Sequence, residues 1–177
     1  MRPDSARGVF VSVGSNIAPE TNIIEAARAL RRHVIIAAVS PLFETPPEGP
    51  PNQPTFVNGV WRLETDIRPH PLKFDILRRV EESLGRVRTE DKYAPRPIDL
   101  DLIMYNDEII KTPELVIPDP DIVRFSHIAV PLAAVAPNLV LPGSRQPVSE
   151  LPCARDRGTF VPLSALTHQL KGILQNG

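Results

Sequence analysis

Gly8 to Val13 (GVFVSV) is a short β-branched run closed by Gly14-Ser15-Asn16, which predicts a first strand ending in a turn. From Asn22 to His33, Ile23, Ala26, Ala27 and Leu30 recur at helical spacing, and Arg28, Arg31 and Arg32 lie outside that stripe or near its C-terminal end. A helix therefore follows the strand. Val34 to Val39 is a continuous apolar run that predicts a second strand, which Phe43-Glu44 extends before a proline cluster interrupts it. Phe56 to Glu64 (FVNGVWRLE) alternates: Val57, Gly59, Trp61 and Leu63 share one face of a strand, and Phe56, Asn58, Val60 and Arg62 the other.

After Pro69 and Pro71, the positions Leu72, Ile76, Leu77, Val80 and Leu84 predict a second amphipathic helix, which Gly85 ends. Arg86 to Arg96 lacks periodicity and is expected to be a charged loop, whereas Ile98 to Tyr105 (IDLDLIMY) predicts another strand. Asn106-Asp107 is a turn signal leading to a short strand at Glu108 to Ile110, hence a hairpin. Ile128 to Val135 predicts a short helix that Pro137 ends and that tolerates Pro131 only near its first turn. Beyond it, Leu139 to Leu141 and Phe160-Val161 suggest short strands, and Ser164 to Leu174 a last helix capped by Ser164. The order strand, helix, strand, strand, helix, strand is that of an α+β, ferredoxin-like split βαβ sandwich. Its antiparallel sheet would carry helices on one face and leave the other free for ligands, with a hairpin and helices added towards the C-terminus.

Composition adds limits to that picture. The chain has 177 residues, 42% of them hydrophobic and 23% charged, with a formal net charge of -1. One domain spanning 1–177 is expected, with 1–7 and about 143–177 peripheral to it. The balanced charge disfavours nucleic-acid or membrane binding, and no apolar run is long enough to span a bilayer. The N-terminal MRPDSARG lacks a signal-like apolar stretch, and Cys153 is a single thiol with no metal-ligand spacing around it, so a cytoplasmic protein with an inert cysteine is expected. Proline is the unusual entry. There are 21 prolines against 9 glycines, about twice the ordinary proline share, and the densest group runs through Pro41, Pro46, Pro47, Pro50, Pro51 and Pro54.

The sharpest chemical signal is Asp99 and Asp101, which project from one face of a strand while Ile98, Leu100 and Leu102 project from the other. Two carboxylates so close repel each other unless protons or cations intervene, and their hard oxygens suit Mg²⁺. An isolated D-x-D is more often a solvent-facing strand end. The neighbouring run changes the balance, because Arg86, Arg88, Lys92 and Arg96 precede the pair on the expected loop, and guanidinium forks bind phosphate oxygens. Glu90 and Asp91 partly neutralise that run, so taken alone it is equally a solvated loop. Together the two features point to an anion and metal site. Phe56 and Asn58 share a strand face, and they either belong to the core or offer a stacking ring and an amide edge to a planar heterocycle. His33, His70 and His168 are expected at the surface.

These residues lie in segments that resemble the 6-hydroxymethyl-7,8-dihydropterin pyrophosphokinases: VSVGSNI, FETPPEGPPNQPTFVNGV, EESLGRVR followed by YAPRPIDLDLIMY, and IAVPLAAVAPNLVLP. They occur in order from about Val9 to Pro142, and the segment after Pro142 offers no such match. The resemblance implies an ATP-dependent diphosphotransferase of folate biosynthesis with ATP as co-substrate, two Mg²⁺ ions on Asp99 and Asp101, and no side-chain nucleophile. It implies a pterin pocket of Thr45, Pro46, Phe56, Asn58, Tyr93 and His127. It assigns Glu81, Arg86, Arg88, Arg96, Leu102 and Arg124 to ATP, with Arg86 and Arg96 assisting transfer, and Gly14, Ser15 and Asn16 to a flexible loop. A monomer acting on small molecules is expected.

The chain departs from the family after the expected hairpin. Asp119 stands where a histidine is usual, Phe125 where an arginine is usual with Arg124 displaced by one, and His127 where an aromatic ring covers the pterin. Two other readings remain. One is a different metal-dependent nucleotide-transfer enzyme on the same sheet; the other is a non-enzymatic module whose TPPEGPPNQP segment is a polyproline ligand.

Overall fold

A computed structural model describes residues 8–49, 52–91 and 93–175. Pro50 and Pro51 of the proline cluster and Lys92 of the cation run lie outside the described residues. The fold is mixed, an antiparallel sheet packed with helices. Its central strand pairs are β1 (Val9–Ser15) with β4 (Phe56–Glu64) and β1 with β5 (Asp99–Tyr105), both antiparallel. On the far side of β4 lie β2 (Ile35–Val39) and β3 (Phe43–Thr45), each antiparallel to it. They are two strands and not one extended run. Pro41 has no N–H for the ladder, and the Ser40 hydroxyl, accepting from the Val60 N–H at 2.9 Å, takes over the pairing at the break. Leu42 then covers Gly59, where a Cβ would fall 2.6 Å from the leucine side chain.

The helix α1 (Pro19–Leu30) starts before the expected Asn22, because Pro19 takes the first helical position, where no N–H is needed. Pro69 does the same for α2 (Pro69–Pro71), which runs through a π-helical stretch, Leu72–Leu77, into α3 (Arg78–Ser83). Gly85 follows with φ 85°, the left-handed conformation that ends such a helix. Ile23, Leu30, Leu72, Leu77 and Val80 of these helices bury against Val11, Val13, Trp61, Leu63, Leu100 and Leu102 of the sheet. The alternation expected along β4 and the start of β5 thus faces the core as predicted.

Further features differ from the sequence reading. A bulge opposite Phe10 and Val11 inserts Ile103 into β5, so Ile103 and Met104 both turn to the second face and Tyr105 returns to the first. Asn106 makes the expected turn with φ 50°, but the strand after it pairs elsewhere: β6 (Ile110–Lys111) and β7 (Val116–Ile117) form their own two-stranded sheet. And α4 (Ser126–Val135) begins earlier than predicted, placing Pro131 beyond its first turn, where the helix forgoes the bond to the His127 carbonyl.

The second sheet face is not wholly free. Phe10, Val60, Ile103 and Met104 are covered by Ile128, Ala129 and Leu132 of α4 and by Leu139, Leu141, Val148 and Leu151 beyond it. What stays open is the other end of that face, where β1, β4 and β5 present Gly14, Asn58 and Asp99 side by side in register. After α5 (Pro152–Arg155), the chain adds β8 (Val161–Pro162) to the outer edge of β3 and ends in α6 (Ser164–Gln175) against the helix-side core. No helix among the described residues is long and apolar enough to cross a membrane.

Candidate active site

The open end of the sheet is the floor of a cavity of about 330 Å³, within the size range of small-molecule sites. Period-two alternation brings its floor together: Asp99, Gly14 and Asn58 are cross-strand neighbours, and Asp101, Ser12 and Val60 form the next row. Thr45, paired with Phe56, and Pro46 extend the floor to the proline-rich loop. The walls are Tyr93 and Arg96 from the loop before β5, Asp119, Asp121 and Phe125 from the segment leading into α4, and His127 from its first turn.

The carboxylate end is held by its cations. Arg96 donates from Nη1 to Asp99 Oδ2 at 2.6 Å, and the Arg86 guanidinium lies 3.8 Å from Asp99 Oδ1. Burial lowers the pKa of Arg86, and the Asp99 charge opposes that effect. Its Nε–H is buried without a partner among the described residues, a donor left for an anion. Asp101 is half-buried in the cavity floor; desolvation first, then the charges of Asp99 and Glu81, push its carboxyl up to about 7. Arg86, Arg88 and Arg96 also border an adjoining cleft of about 260 Å³ that shares Asp99 and Asp101 with the first cavity.

Two buried polar clamps set this geometry. Glu81, 1% exposed, accepts the Leu100 N–H at 2.8 Å and the Arg88 guanidinium at 2.7 Å. It thereby joins the helix to the strand residue between the two aspartates and draws Arg88 inward. Burial raises the Glu81 pKa, and the Leu100 N–H and Arg88 oppose the rise. Asn16 grips the other approach: its Oδ1 accepts the Arg96 N–H at 2.7 Å, and its own N–H donates to the Arg96 carbonyl at 3.1 Å. Beside it, the Ser15 hydroxyl donates to the Pro97 carbonyl at 2.6 Å. The turn after β1 is thus bonded to the segment entering β5.

At the opposite end Asn58 donates from Nδ2 to Thr45 Oγ1 at 2.7 Å, which orients the amide and turns its Oδ1 towards Gly14. A Cβ on Gly14 would sit 3.0 Å from that oxygen, so glycine keeps the amide accessible. The Phe56 ring lies between the two ends, with the Arg96 guanidinium carbon 6.0 Å from its centroid. His127 Nδ1 is 3.1 Å from Glu48 Oε1, and its ring stands 5.4 Å from that of Phe125. Burial lowers the His127 pKa against the pull of Glu48. The Asp119 carboxyl, whose pKa burial raises, accepts the Asp121 N–H at 2.9 Å and caps the single 3-10 turn Pro120–Val123.

The predicted residues Thr45, Pro46, Phe56, Asn58, Tyr93, Arg96, Asp99, Asp101 and His127 therefore line one cavity, and Arg86 and Arg88 its neighbour. Leu102 does not reach either; it is buried in the helix-side core. Arg124 is exposed and pairs with Asp121 at 3.6 Å. Sequence reasoning misses Glu48, although a lone acid among prolines is visible in TPPEGPPNQP. The described part of that segment forms a cavity wall through Thr45, Pro46 and Glu48. Cys153, half-buried with its pKa raised by burial, lies outside the cavity, and His33, His70 and His168 are exposed.

Comparison with known proteins gives this arrangement a family. The sequence model of 7,8-dihydro-6-hydroxymethylpterin-pyrophosphokinase (HPPK) matches residues 10–137. The chain belongs to the HPPK family. It is 39% identical over 140 residues to 2-amino-4-hydroxy-6-hydroxymethyldihydropteridine pyrophosphokinase of Pseudomonas aeruginosa, a match covering 77% of this chain and 85% of that protein. The Haemophilus influenzae protein of the same name is 35% identical over 145 residues, with 80% and 89% covered. The HPPK-DHPS structure of Plasmodium falciparum with pteroate superposes with a TM-score of 0.63 at 14% identity and supports the fold alone. That match covers 95% of this chain, which spans 44% of the other. The matched family region ends at residue 137, so β8 and α6 lie beyond it.

Proposed function

We propose that this chain transfers diphosphate from ATP to the hydroxymethyl group of 6-hydroxymethyl-7,8-dihydropterin, releasing AMP and the pterin diphosphate of folate biosynthesis. One observation carries the reading for this chain: a single cavity joins the aspartate pair and its arginines to an oriented amide and an aromatic ring.

The donor set suits Mg²⁺. Asp99 and Asp101 offer hard oxygens from one strand face, and among the described residues no cluster of three or more His, Cys, Asp or Glu completes a cage around a metal. Mg²⁺ is usually bound this way, by one or two carboxylates plus phosphate oxygens and water. Asp99 and Asp101 would hold two ions, which supply polarisation of phosphate oxygens and a lowered hydroxyl pKa. The remaining work is positioning and charge neutralisation, since phosphoryl transfer asks little covalent chemistry of the protein. Arg86 and Arg96 face the phosphates and offset the charge that spreads over the oxygens. Arg88 and Arg124 supply outlying cations to ATP, while Glu81 and Leu102 act from beneath β5 by seating the strand.

The heterocycle is read by Asn58 along its edge, with Thr45 holding the amide in orientation, and lies between the Phe56 and His127 rings. Pro46 and Tyr93 close the pocket and exclude water from the reacting oxygen. The strand order and the packing of α1 to α3 on one face support a ferredoxin-like split βαβ sheet with α4 added on the other, and 1–177 acts as one domain, monomeric and cytoplasmic. Mixing protein, Mg²⁺, ATP and hydroxymethyldihydropterin should yield AMP and pterin diphosphate in equal amounts. Release of ADP or inorganic pyrophosphate in place of AMP would overturn the assignment.

A further inference from the structure

We propose that Glu48 is a positioning residue for the pterin, holding the His127 imidazole in place as the wall opposite Phe56. This rests on the reading of the cavity as the pterin site. Glu48 and His127 come from separate elements, the proline-rich loop and α4, and meet at the cavity mouth with Nδ1 and Oε1 3.1 Å apart. A carboxylate oxygen only accepts, so Nδ1 carries the proton whether the ring is neutral or charged, and Nε2 is the nitrogen left uncommitted by this contact. Phe125 supports the ring from its own segment, the two planes tilted by 34°. The torsions of the imidazole are thereby restrained before any ligand arrives, and the ordering cost is removed from the binding step.

Glu48 is itself well placed to hold. Pro46 and Pro47 precede it and stiffen the approach to it, and Gly49 follows with φ 105°. A Cβ on Gly49 would fall 2.6 Å from the Tyr93 ring, so the Glu48-Gly49 corner touches a wall residue on either side. Asp121 is the further charge that acts on His127, but it acts on the ring charge alone, and only the Glu48 contact distinguishes Nδ1 from Nε2. A phenyl ring at position 127 could stack but could not accept this restraint.

A double-mutant cycle tests the proposal. Glu48→Ala should raise the KM for the pterin about three- to fivefold, the scale of a charged contact that solvent partly screens, with kcat changed less than about twofold. Glu48→Gln, which keeps the acceptor, should recover most of the loss. In a His127→Phe background, Glu48→Ala should change the KM less than about twofold. ¹⁵N NMR of the imidazole without substrate gives an independent measure: Nδ1 protonated in the wild type, and the preference lost in Glu48→Ala. An equal Glu48→Ala effect in both backgrounds, or an unaltered imidazole spectrum, would sink the proposal while leaving the enzyme assignment standing. A wild-type protein that neither binds nor converts the pterin would sink both.

Discussion

Desolvation of the Asp101 carboxyl, with the Asp99 charge on the same strand face and the Glu81 charge nearby, pushes its pKa up to about 7. An unfolded chain releases that proton near pH 4. Between those values the native state holds a proton that the unfolded state has lost, so stability falls as pH rises from about 4 to about 7 and stays lower above. Asp101→Asn removes the charge and keeps the shape. Its melting temperature in EDTA should match the wild type near pH 4 and exceed it progressively up to pH 8. A constant difference across that range would show that Asp101 ionises normally. The same side chain should be indispensable in turnover: Asp99→Ala or Asp101→Ala is expected to reduce Mg²⁺-dependent AMP release at least about 10²-fold with the fold retained by circular dichroism. Arg96→Ala should cost about 10²–10³-fold in a single-turnover measurement, and an unchanged rate would leave Arg96 as a structural partner of Asp99 only.

At the level of elements, the aspartate strand depends on Glu81, which is buried in α3 and accepts the N–H of Leu100. Glu81→Ala leaves that N–H buried and Arg88 unpaired, so a loss of about 1–3 kcal/mol is expected in urea unfolding. A larger drop in turnover than in stability would confirm that the clamp also sets the aspartates. Period two makes the faces of Asp99 and Asp101 and of Phe56 and Asn58 legible in the sequence itself, because each face is decided within one strand. The bulge at Ile103 is not legible there, since register belongs to the pair β1 and β5 and not to either strand alone. Glu81 reads as one more charge on an amphipathic helix, and its burial follows only from where β5 docks. Glu48 and His127 are far apart in sequence, and nothing local in either segment announces their contact.

Across the whole molecule, the segment beyond residue 137 braces the end of the sheet that carries Thr45. β8 pairs with β3, the strand that carries Thr45, through Phe43 opposite Pro162 and Glu44 opposite Val161. Just before β3, the Leu42 carbonyl accepts the Leu163 N–H at 2.8 Å, and the Leu42 N–H donates to Thr167 Oγ1 at 2.9 Å. Leu166 and Leu170 of α6 complete the core beneath. Thr167→Val preserves the volume but leaves a buried backbone N–H without an acceptor, which should destabilise by about 1–3 kcal/mol. Leu170→Ala deletes a fully buried side chain and should cost about 2–5 kcal/mol through the cavity it leaves. The two substitutions should differ in function. Thr167 bonds directly to the strand entry, so Thr167→Val should raise the KM for the pterin while the KM for ATP holds, because Thr45 and Asn58 sit at that end of the cavity and the arginines at the other. Leu170→Ala, acting through the core, should lower stability without that selectivity. Equal changes in both KM values for Thr167→Val would mean that the C-terminal segment supports the fold as a whole and not the pterin wall.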